Sequence, residues 1–238
     1  MTKAKGILLG SIIVVLALGF IVPNTWERKT KASPNILIIV SDDQRWDEFG
    51  LVQAEQGKNA RFPFIKTPRL DALAAQGMRF RNAFVTTSLC SPSRSAILTG
   101  QYNHTNGTID SSMHFLPRTT WATVLQAAGY TTAMIGKWHH SGQWKRPGFD
   151  YVASFMGQGD YRDTSFNFNG DYVETKGYVD ERTVEFAIDF LEDQGDKPFA
   201  MLVGFKAVHD PFIPMEEHAG NYTNSTILPS PNWDAVAP

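Results

Sequence analysis

Three short apolar runs rich in branched residues mark the chain, and segments with helical spacing separate them. The apolar runs lie at 34–40, 130–135 and 198–205. Continuous runs of this length are typical of strands buried on both faces of a parallel sheet. Apolar spacing, N-cap residues and closing glycines predict helices at 67–77, 120–128 and 177–194. Strands that alternate with helices predict an α/β fold, with the first run as a central strand.

Three weaker patterns add shorter elements to this plan. Residues 78–85 alternate weakly between apolar and polar side chains and indicate a further strand. Residues 166–172 predict a hairpin that turns at its Asn-Gly pair, because that pair favours tight turns. Residues 90–100 predict a short helix with a proline in its first turn and a glycine at its end, the positions that these residues favour.

The N-terminal segment is predicted to lie outside the folded domain. Two lysines precede an apolar run at 7–22, so that residues 1–23 are typical of a signal peptide or a signal anchor. Residues 24–33 then form a polar linker, and the α/β domain covers 34–238. This predicts an exported protein, in a periplasmic, extracellular or lysosome-like compartment, with membrane attachment through 7–22 if the segment is an anchor.

Composition narrows the function further. The 238 residues carry a net charge of −2 and a single cysteine. Nucleic-acid binding is not expected, because nucleic-acid-binding proteins usually carry an excess of basic residues. An anionic substrate would need a local cationic pocket, since the net charge of the chain does not attract it. A lone cysteine can form no intramolecular disulfide, and a thiol redox function is disfavoured because a second cysteine is missing.

Polar residues of catalytic types follow each predicted strand. Asp42 and Asp43 come directly after the first, and two adjacent carboxylates suit Ca²⁺ or Mg²⁺ better than zinc; Gln44 is a weaker ligand candidate. Lys137 and His139 follow the second strand and, in an extended segment, point the same way. Because sites in α/β folds form beyond the carboxyl ends of the strands, these groups are expected to converge.

Two further candidates are the lone cysteine and a histidine near the end of the domain. Cys90 begins the predicted helix at 90–100, where free N–H groups favour negative charge, and Arg94 lies one turn further on. His209 follows the third strand and precedes a rigid proline turn. A nucleophile beside an anion-binding site is the predicted chemistry, while a structural histidine and a buried cysteine are the plain alternatives.

The run Cys90-Ser-Pro-Ser-Arg94 resembles the signature of the type I sulfatases, in which that cysteine is oxidised after translation to formylglycine. The resemblance extends over about 35–214 and includes Gly-Lys137-x-His139 and His209-x-Pro. It implies an alkaline-phosphatase-like sandwich and a sulfuric ester hydrolase. It also implies a divalent metal, Ca²⁺ or Mg²⁺, on Asp42, Asp43 and the formylglycine made from Cys90, with Arg94 beside the nucleophile. Lys137 and His139 would contact the sulfate, and His209 would lie beside the ester oxygen.

The chain is most similar in appearance to N-acetylglucosamine-6-sulfatases and mucin-desulfating carbohydrate sulfatases. The implied substrate is a sulfated sugar, or a glycosaminoglycan or mucin-type glycan, and the implied partner is a formylglycine-generating or maturation enzyme. His104, with Tyr102 beside it, is a weak candidate for contact with the sugar.

One departure from the family and two rival functions remain. The family completes its metal site with a later Asp-Asn pair and a further lysine, and the proline-rich tail at 228–238 precedes any such elements. We therefore expect the domain to be incomplete and its activity doubtful. The rivals are a phosphatase or phosphonate monoester hydrolase of the same superfold, and an inactive relative that binds sulfated glycans.

Overall fold

A computed structural model describes residues 33–111, 119–140, 146–229 and 233. The strands are β1 (Ile36–Val40), β2 (Thr131–Lys137), β3 (Tyr151–Phe155), β4 (Phe166–Phe168), β5 (Asp171–Val173) and β6 (Phe199–Gly204). The helices are α1 (Gly50–Gln56), α2 (Pro68–Gln76), α3 (Cys90–Thr99), α4 (Asn103–Asn106), α5 (Trp121–Ala127) and α6 (Val179–Asp193), with 3₁₀ turns at Gly57–Asn59 and Glu216–His218.

The strands form one sheet in the order β1-β6-β2-β3-β4-β5. The first four of these are parallel, and β4 and β5 extend the sheet as an antiparallel hairpin. The predicted mostly parallel α/β sheet flanked by helices is therefore confirmed, as is the hairpin. Because parallel strands share a direction, the segments that follow β1, β6, β2 and β3 all lie at one edge of the sheet.

Helices cover the two faces of the central strands. On one face α6 packs Val179 and Phe190 against a cluster that includes Ile135 and Val203. On the other, Leu98 of α3 packs with Met134, Leu202, Trp138 and Ala122 of α5. Alternate residues of β2 and β6 thus face opposite layers, which fixes the register of both strands. α3 is held against this second layer, with its first turn at the edge where the strands end.

Two sequence predictions about strands are wrong. β1 is an edge strand among the described residues, and Leu37 and Ile39 on it are 49% and 57% exposed, because α6 covers its neighbours rather than β1. Residues 78–85 form no strand: Phe80 and Phe84 are 75% and 89% exposed. Their weak alternation lacks a paired neighbour within the described part of the chain.

The predicted signal segment at 1–23 and most of the linker at 24–33 lie outside the described residues. Within the described ranges, no helix is long and apolar enough to cross a membrane.

Two glycines allow close packing directly below the edge where the strands end. Gly136 has φ +81°, and a Cβ at this position would collide with the carbonyl oxygen of Gly204. A Cβ at Gly204 would lie 2.6 Å from the carbonyl oxygen of Lys137 and 2.8 Å from Nη1 of Arg94. Relieving either contact of a Cβ at Gly204 would cost stability, because the Lys137 oxygen belongs to the backbone and the Arg94 nitrogen to a buried guanidinium.

We therefore expect Gly204→Ala to lower the free energy of unfolding by about 1–3 kcal/mol through overpacking. Urea denaturation followed by tryptophan fluorescence measures the change. Gly77→Ala is the matched control, since its Cβ would meet a carbonyl oxygen at 3.3 Å only. Equal midpoints for the two variants would contradict the expected clash.

Candidate active site

The loops that follow β1 and β6 are joined at the edge where the strands end. The backbone N–H of Asp42 donates to the carbonyl of Ala207 (2.9 Å), and the N–H of Val208 donates to the carbonyl of Asp42 (2.7 Å). Asp43 then adopts φ +57°. These two bonds hold Asp42, which is 6% exposed, close to the loop that carries His209.

Two cationic side chains contact the carboxylate of Asp42. Nη1 of Arg94 donates to the carbonyl of Lys137 (2.7 Å), and Nη2 lies 3.5 Å from Oδ1 of Asp42. The ammonium of Lys137 contacts Oδ2 of Asp42 and the side-chain oxygen of Gln158. Lys137 is fully buried, and its contact with a sulfate, which the resemblance implied, stays a prediction.

Cys90 begins α3 and is half-buried beside these charges. Its Sγ, a carboxylate oxygen of Asp42 and a ring nitrogen of His209 all lie within 4.8 Å of one another. Burial and then the Asp42 carboxylate raise the pKa of the Cys90 thiol, against the opposing effect of Lys137. Burial and the Asp42 carboxylate therefore outweigh the effect of the helix N-terminus, which favours an anion at this residue. With a raised pKa, the unmodified thiol is a weaker nucleophile at neutral pH than an ordinary cysteine.

Polar groups contact both the imidazole ring and the backbone carbonyl of His209. Its Nδ1 lies 2.7 Å from the carbonyl oxygen of Asp210, which requires a hydrogen on Nδ1. Its Nε2 lies 3.7 Å from Oδ2 of Asp43. The hydroxyl of Tyr161 donates to the backbone carbonyl of His209 at 2.5 Å. Nε2 is consequently the ring nitrogen that can reach a substrate.

His139 joins the site by a different route from the one predicted. β2 ends at Lys137, and His139 has φ +54°, so the argument from an extended segment is wrong for this residue. The hydroxyl of Ser91 donates to its carbonyl at 2.6 Å, which ties it to the first turn of α3. Burial, followed by Lys137 and Arg94, lowers the pKa of His139 to about 4. The imidazole is therefore uncharged at neutral pH.

The two weaker candidates, Gln44 and His104, lie elsewhere, and so does His140, which was not predicted to belong to the site. Gln44 lines a cavity of about 680 Å³ beside Tyr178 and Met215, apart from the Asp42 carboxylate cluster. His140 is buried against Trp138 (ring centroids 5.0 Å apart), where burial, then Arg94, lowers its pKa to about 3; this agrees with a structural role. His104 is exposed on α4, and its ring stacks on that of Tyr102.

Three residues that support the site were missed from the sequence. Gln158 follows β3, and its side chain contacts Lys137. Tyr161 holds His209, as described, and Asp180 in the first turn of α6 accepts the N–H groups of Lys206 (2.8 Å) and Ala207 (2.9 Å). β3 was not among the strands predicted from the sequence. With β3 recognised, the polar residue of the Gly-Gln-Gly run that follows it could have identified Gln158 as a site candidate.

The carboxylate of Asp180 is expected to hold the loop that presents His209. Asp180→Asn keeps one acceptor oxygen and places an NH₂ against the other N–H, which should cost about 1–3 kcal/mol of stability. Amide hydrogen exchange at Lys206 and Ala207 should accelerate correspondingly. Asp189→Asn, at an exposed position of the same helix, is the control, and equal exchange in both variants would contradict this role.

The chain is similar to known sulfatases over most of its length. The sulfatase family model matches residues 34–230. The chain is 38% identical over 213 residues to N-acetylglucosamine-6-O-sulfatase of Bacteroides thetaiotaomicron, covering 87% of this chain and 36% of that protein. It is 32% identical over 215 residues to an ulvan-active sulfatase of Formosa agariphila, covering 84% and 40%.

The same similarity holds for solved structures. The structure of BT4656 in complex with its substrate D-glucosamine-2-N,6-O-disulfate superposes with a TM-score of 0.76 at 36% identity. The match covers 84% of this chain and 39% of that one. The predicted alkaline-phosphatase-like arrangement is therefore confirmed, and the chain spans about two fifths of the length of the proteins that it matches.

Proposed function

The chain belongs to the sulfatase family, and from that premise we propose that it hydrolyses sulfate esters of sugars through a formylglycine made from Cys90. The observation that carries the proposal is the grouping of donor atoms from Asp42, Cys90 and His209 within 4.8 Å, with Arg94 and Lys137 beside them. By similarity to the relatives above, the proposed substrate carries a 6-O-sulfated glucosamine.

The described residues fit part of a divalent metal site. Asp42 and Asp43 offer the hard oxygen donors that Ca²⁺ and Mg²⁺ prefer, and Asp42 is buried beside residue 90. Ca²⁺ takes roughly six to eight oxygen ligands, so these two carboxylates and residue 90 would supply only some of them. When bound, such a cation would neutralise charge on the sulfate, and the formylglycine hydrate would provide the attacking oxygen.

The cationic side chains have separate tasks in this proposal. Arg94 is nine-tenths buried and is fixed by the carbonyl of Lys137, so it holds positive charge at one position without rearrangement. Lys137 compensates the Asp42 carboxylate. Fixed positive charges in a partly dry site stabilise the negative charge that develops on sulfate oxygens.

The two histidines divide the proton transfers. His139 is uncharged at neutral pH, so its imidazole can accept a proton from the hydroxyl of residue 90. His209 presents Nε2 beside the Asp43 carboxylate, and from this position it would act as the acid that protonates the departing sugar oxygen. The tethers from Tyr161 and Asp210 set the direction in which this nitrogen points.

Mass spectrometry of the tryptic peptide that contains residue 90 tests the proposal. Co-expression of the chain with a formylglycine-generating enzyme should convert the thiol to an aldehyde. The matured chain should release sulfate from D-glucosamine-2-N,6-O-disulfate, and a fully unmodified thiol in an active preparation would refute the formylglycine route. The maturation enzyme and an exported location are part of the same proposal.

A second candidate is a protein that binds sulfated glycans without turnover. Calorimetric binding of the same disulfate by the matured chain, with no sulfate released, would support this candidate. Faster turnover of an aryl phosphate than of an aryl sulfate would instead indicate the phosphatase alternative, which the sulfatase relatives do not favour.

A further inference from the structure

Two exposed aromatic rings at the start of helix α4 have no part in the proposed mechanism. Tyr102 is 66% exposed, and its ring stacks on the imidazole of His104, with centroids 5.9 Å apart and planes inclined by 10°. The two rings therefore form a nearly parallel pair on the surface.

The residue between the two rings fixes the pair to the nucleophile helix. Asn103 is 7% exposed, and its Oδ1 accepts hydrogen bonds from the hydroxyls of Thr86 (2.9 Å) and Thr87 (2.8 Å). Its Nδ2 donates to the carbonyls of Pro92 (2.7 Å) and Thr108 (3.0 Å). One side chain thus ties α4 both to the segment that leads into Cys90 and to the first turn of α3.

This attachment sets the distance between the rings and the reacting centre. Pro92 is two residues beyond position 90, about 3 Å along the helix axis at a rise of 1.5 Å per residue. Adding the reach of the Asn103 side chain and one further residue, the rings lie within roughly 15 Å of residue 90. A short oligosaccharide spans that distance, whereas a single sugar bound at residue 90 does not.

We propose that Tyr102 and His104 form a stacking platform for a second pyranose ring of a sulfated glycan, next to the ring whose sulfate ester lies at residue 90. The platform rests on the proposed function, because it needs a sulfated sugar at that residue. Aromatic faces pack on the apolar C–H face of a pyranose, and the phenol and imidazole can bond to its hydroxyls. Rigid aromatic side chains also lose little entropy on binding.

If the platform exists, the protein should bind an oligosaccharide more tightly than a monosaccharide, and this difference should depend on Tyr102. The probes are D-glucosamine-2-N,6-O-disulfate and a heparin-derived tetrasaccharide that ends in the same unit. Both are titrated calorimetrically into the full chain carrying Cys90→Ala, which prevents turnover. Tyr102→Ala should weaken binding of the tetrasaccharide by about three- to tenfold, the size of one aromatic stacking contact. Tyr102→Phe keeps the ring and should stay within about twofold.

Tyr172→Ala is the matched control, because Tyr172 is 65% exposed on β5, away from α3. Affinity for the monosaccharide should be equal in all variants. The platform is overturned if Tyr102→Ala behaves like Tyr172→Ala, if the monosaccharide loses as much affinity as the tetrasaccharide, or if the tetrasaccharide does not bind at all. If Tyr102→Ala weakens binding of the tetrasaccharide while the monosaccharide does not bind to any variant, the result would support the platform. It would then count only against the proposed sulfate site.

Discussion

Replacing Cys90 by alanine is expected to reduce sulfate release from D-glucosamine-2-N,6-O-disulfate by about 10⁴-fold or more, the scale seen when an enzyme loses its nucleophile. The thiol lies with Asp42 and His209 near the start of α3, and within this group only Cys90 can be converted to the formylglycine that the proposal requires. Stability should change little, since Cys90 is only half-buried. Ion chromatography of released sulfate measures the effect.

Two companion variants make this result specific. Ile97→Val, at an exposed position of the same helix, leaves the Cys90–Arg94 run in place and should keep most of the activity. Cys90→Ser keeps a hydroxyl at the position and should be as inactive as alanine in a host that matures cysteine only. Activity of Cys90→Ser close to that of the unchanged chain would mean that residue 90 attacks directly, without an aldehyde.

The second large effect concerns the buried charges around Asp42. Asp42→Ala would leave the fully buried ammonium of Lys137 without its carboxylate and remove the ion pair with Arg94. Breaking a buried pair by deleting one partner typically costs about 3–5 kcal/mol, so the free energy of unfolding should fall by about that amount. Urea denaturation in the presence of a chelator measures it independently of any metal.

A double variant distinguishes the cost of leaving Lys137 without a partner from the cost of losing the Asp42 side chain itself. Asp42→Asn combined with Lys137→Met removes both charges and should recover more than half of the stability that Asp42→Ala loses. Glu55→Ala breaks exposed ion pairs with two arginines and should cost at most about 1 kcal/mol. If Asp42→Ala cost no more than Glu55→Ala, the charges around Asp42 would not be coupled in the way described.

Local signals explain which parts of the fold the sequence predicts well. Pro92 and Gly100 mark the limits of α3 by their own backbone preferences, and Gly100 indeed ends the helix with φ +65°. The hairpin between β4 and β5 forms at its Asn-Gly pair for the same kind of reason. α5 begins at Thr120, whose side chain caps the helix. Each of these features depends on neighbours in sequence, so each could be predicted without knowledge of the fold.

The errors occur where distant residues decide the structure. β1 has the composition of a central strand, but its neighbours in space determine that it lies at an edge among the described residues. β2 ends at Lys137 because its pairing with β3 ends there, and this sets the direction of His139. The resemblance implied a set of site residues but neither Gln158 nor Asp180. Gln158 lies in a loop after β3 and Asp180 in the first turn of α6, and their approach to the site depends on the whole sheet.

The buried amide of Asn103, together with that of Asn106 at 1% exposure, has a consequence for the choice of production host. Both residues stand in Asn-x-Thr triplets, as do Asn221 and Asn224, and such triplets accept N-linked oligosaccharides in eukaryotic secretion. A glycan on Nδ2 of Asn103 or Asn106 would disrupt the hydrogen bonds that these side chains make in the folded chain, whereas Asn221 and Asn224 are exposed. Correctly folded material secreted by yeast or mammalian cells would therefore carry its added sugars on the 220–225 turn and not on α4.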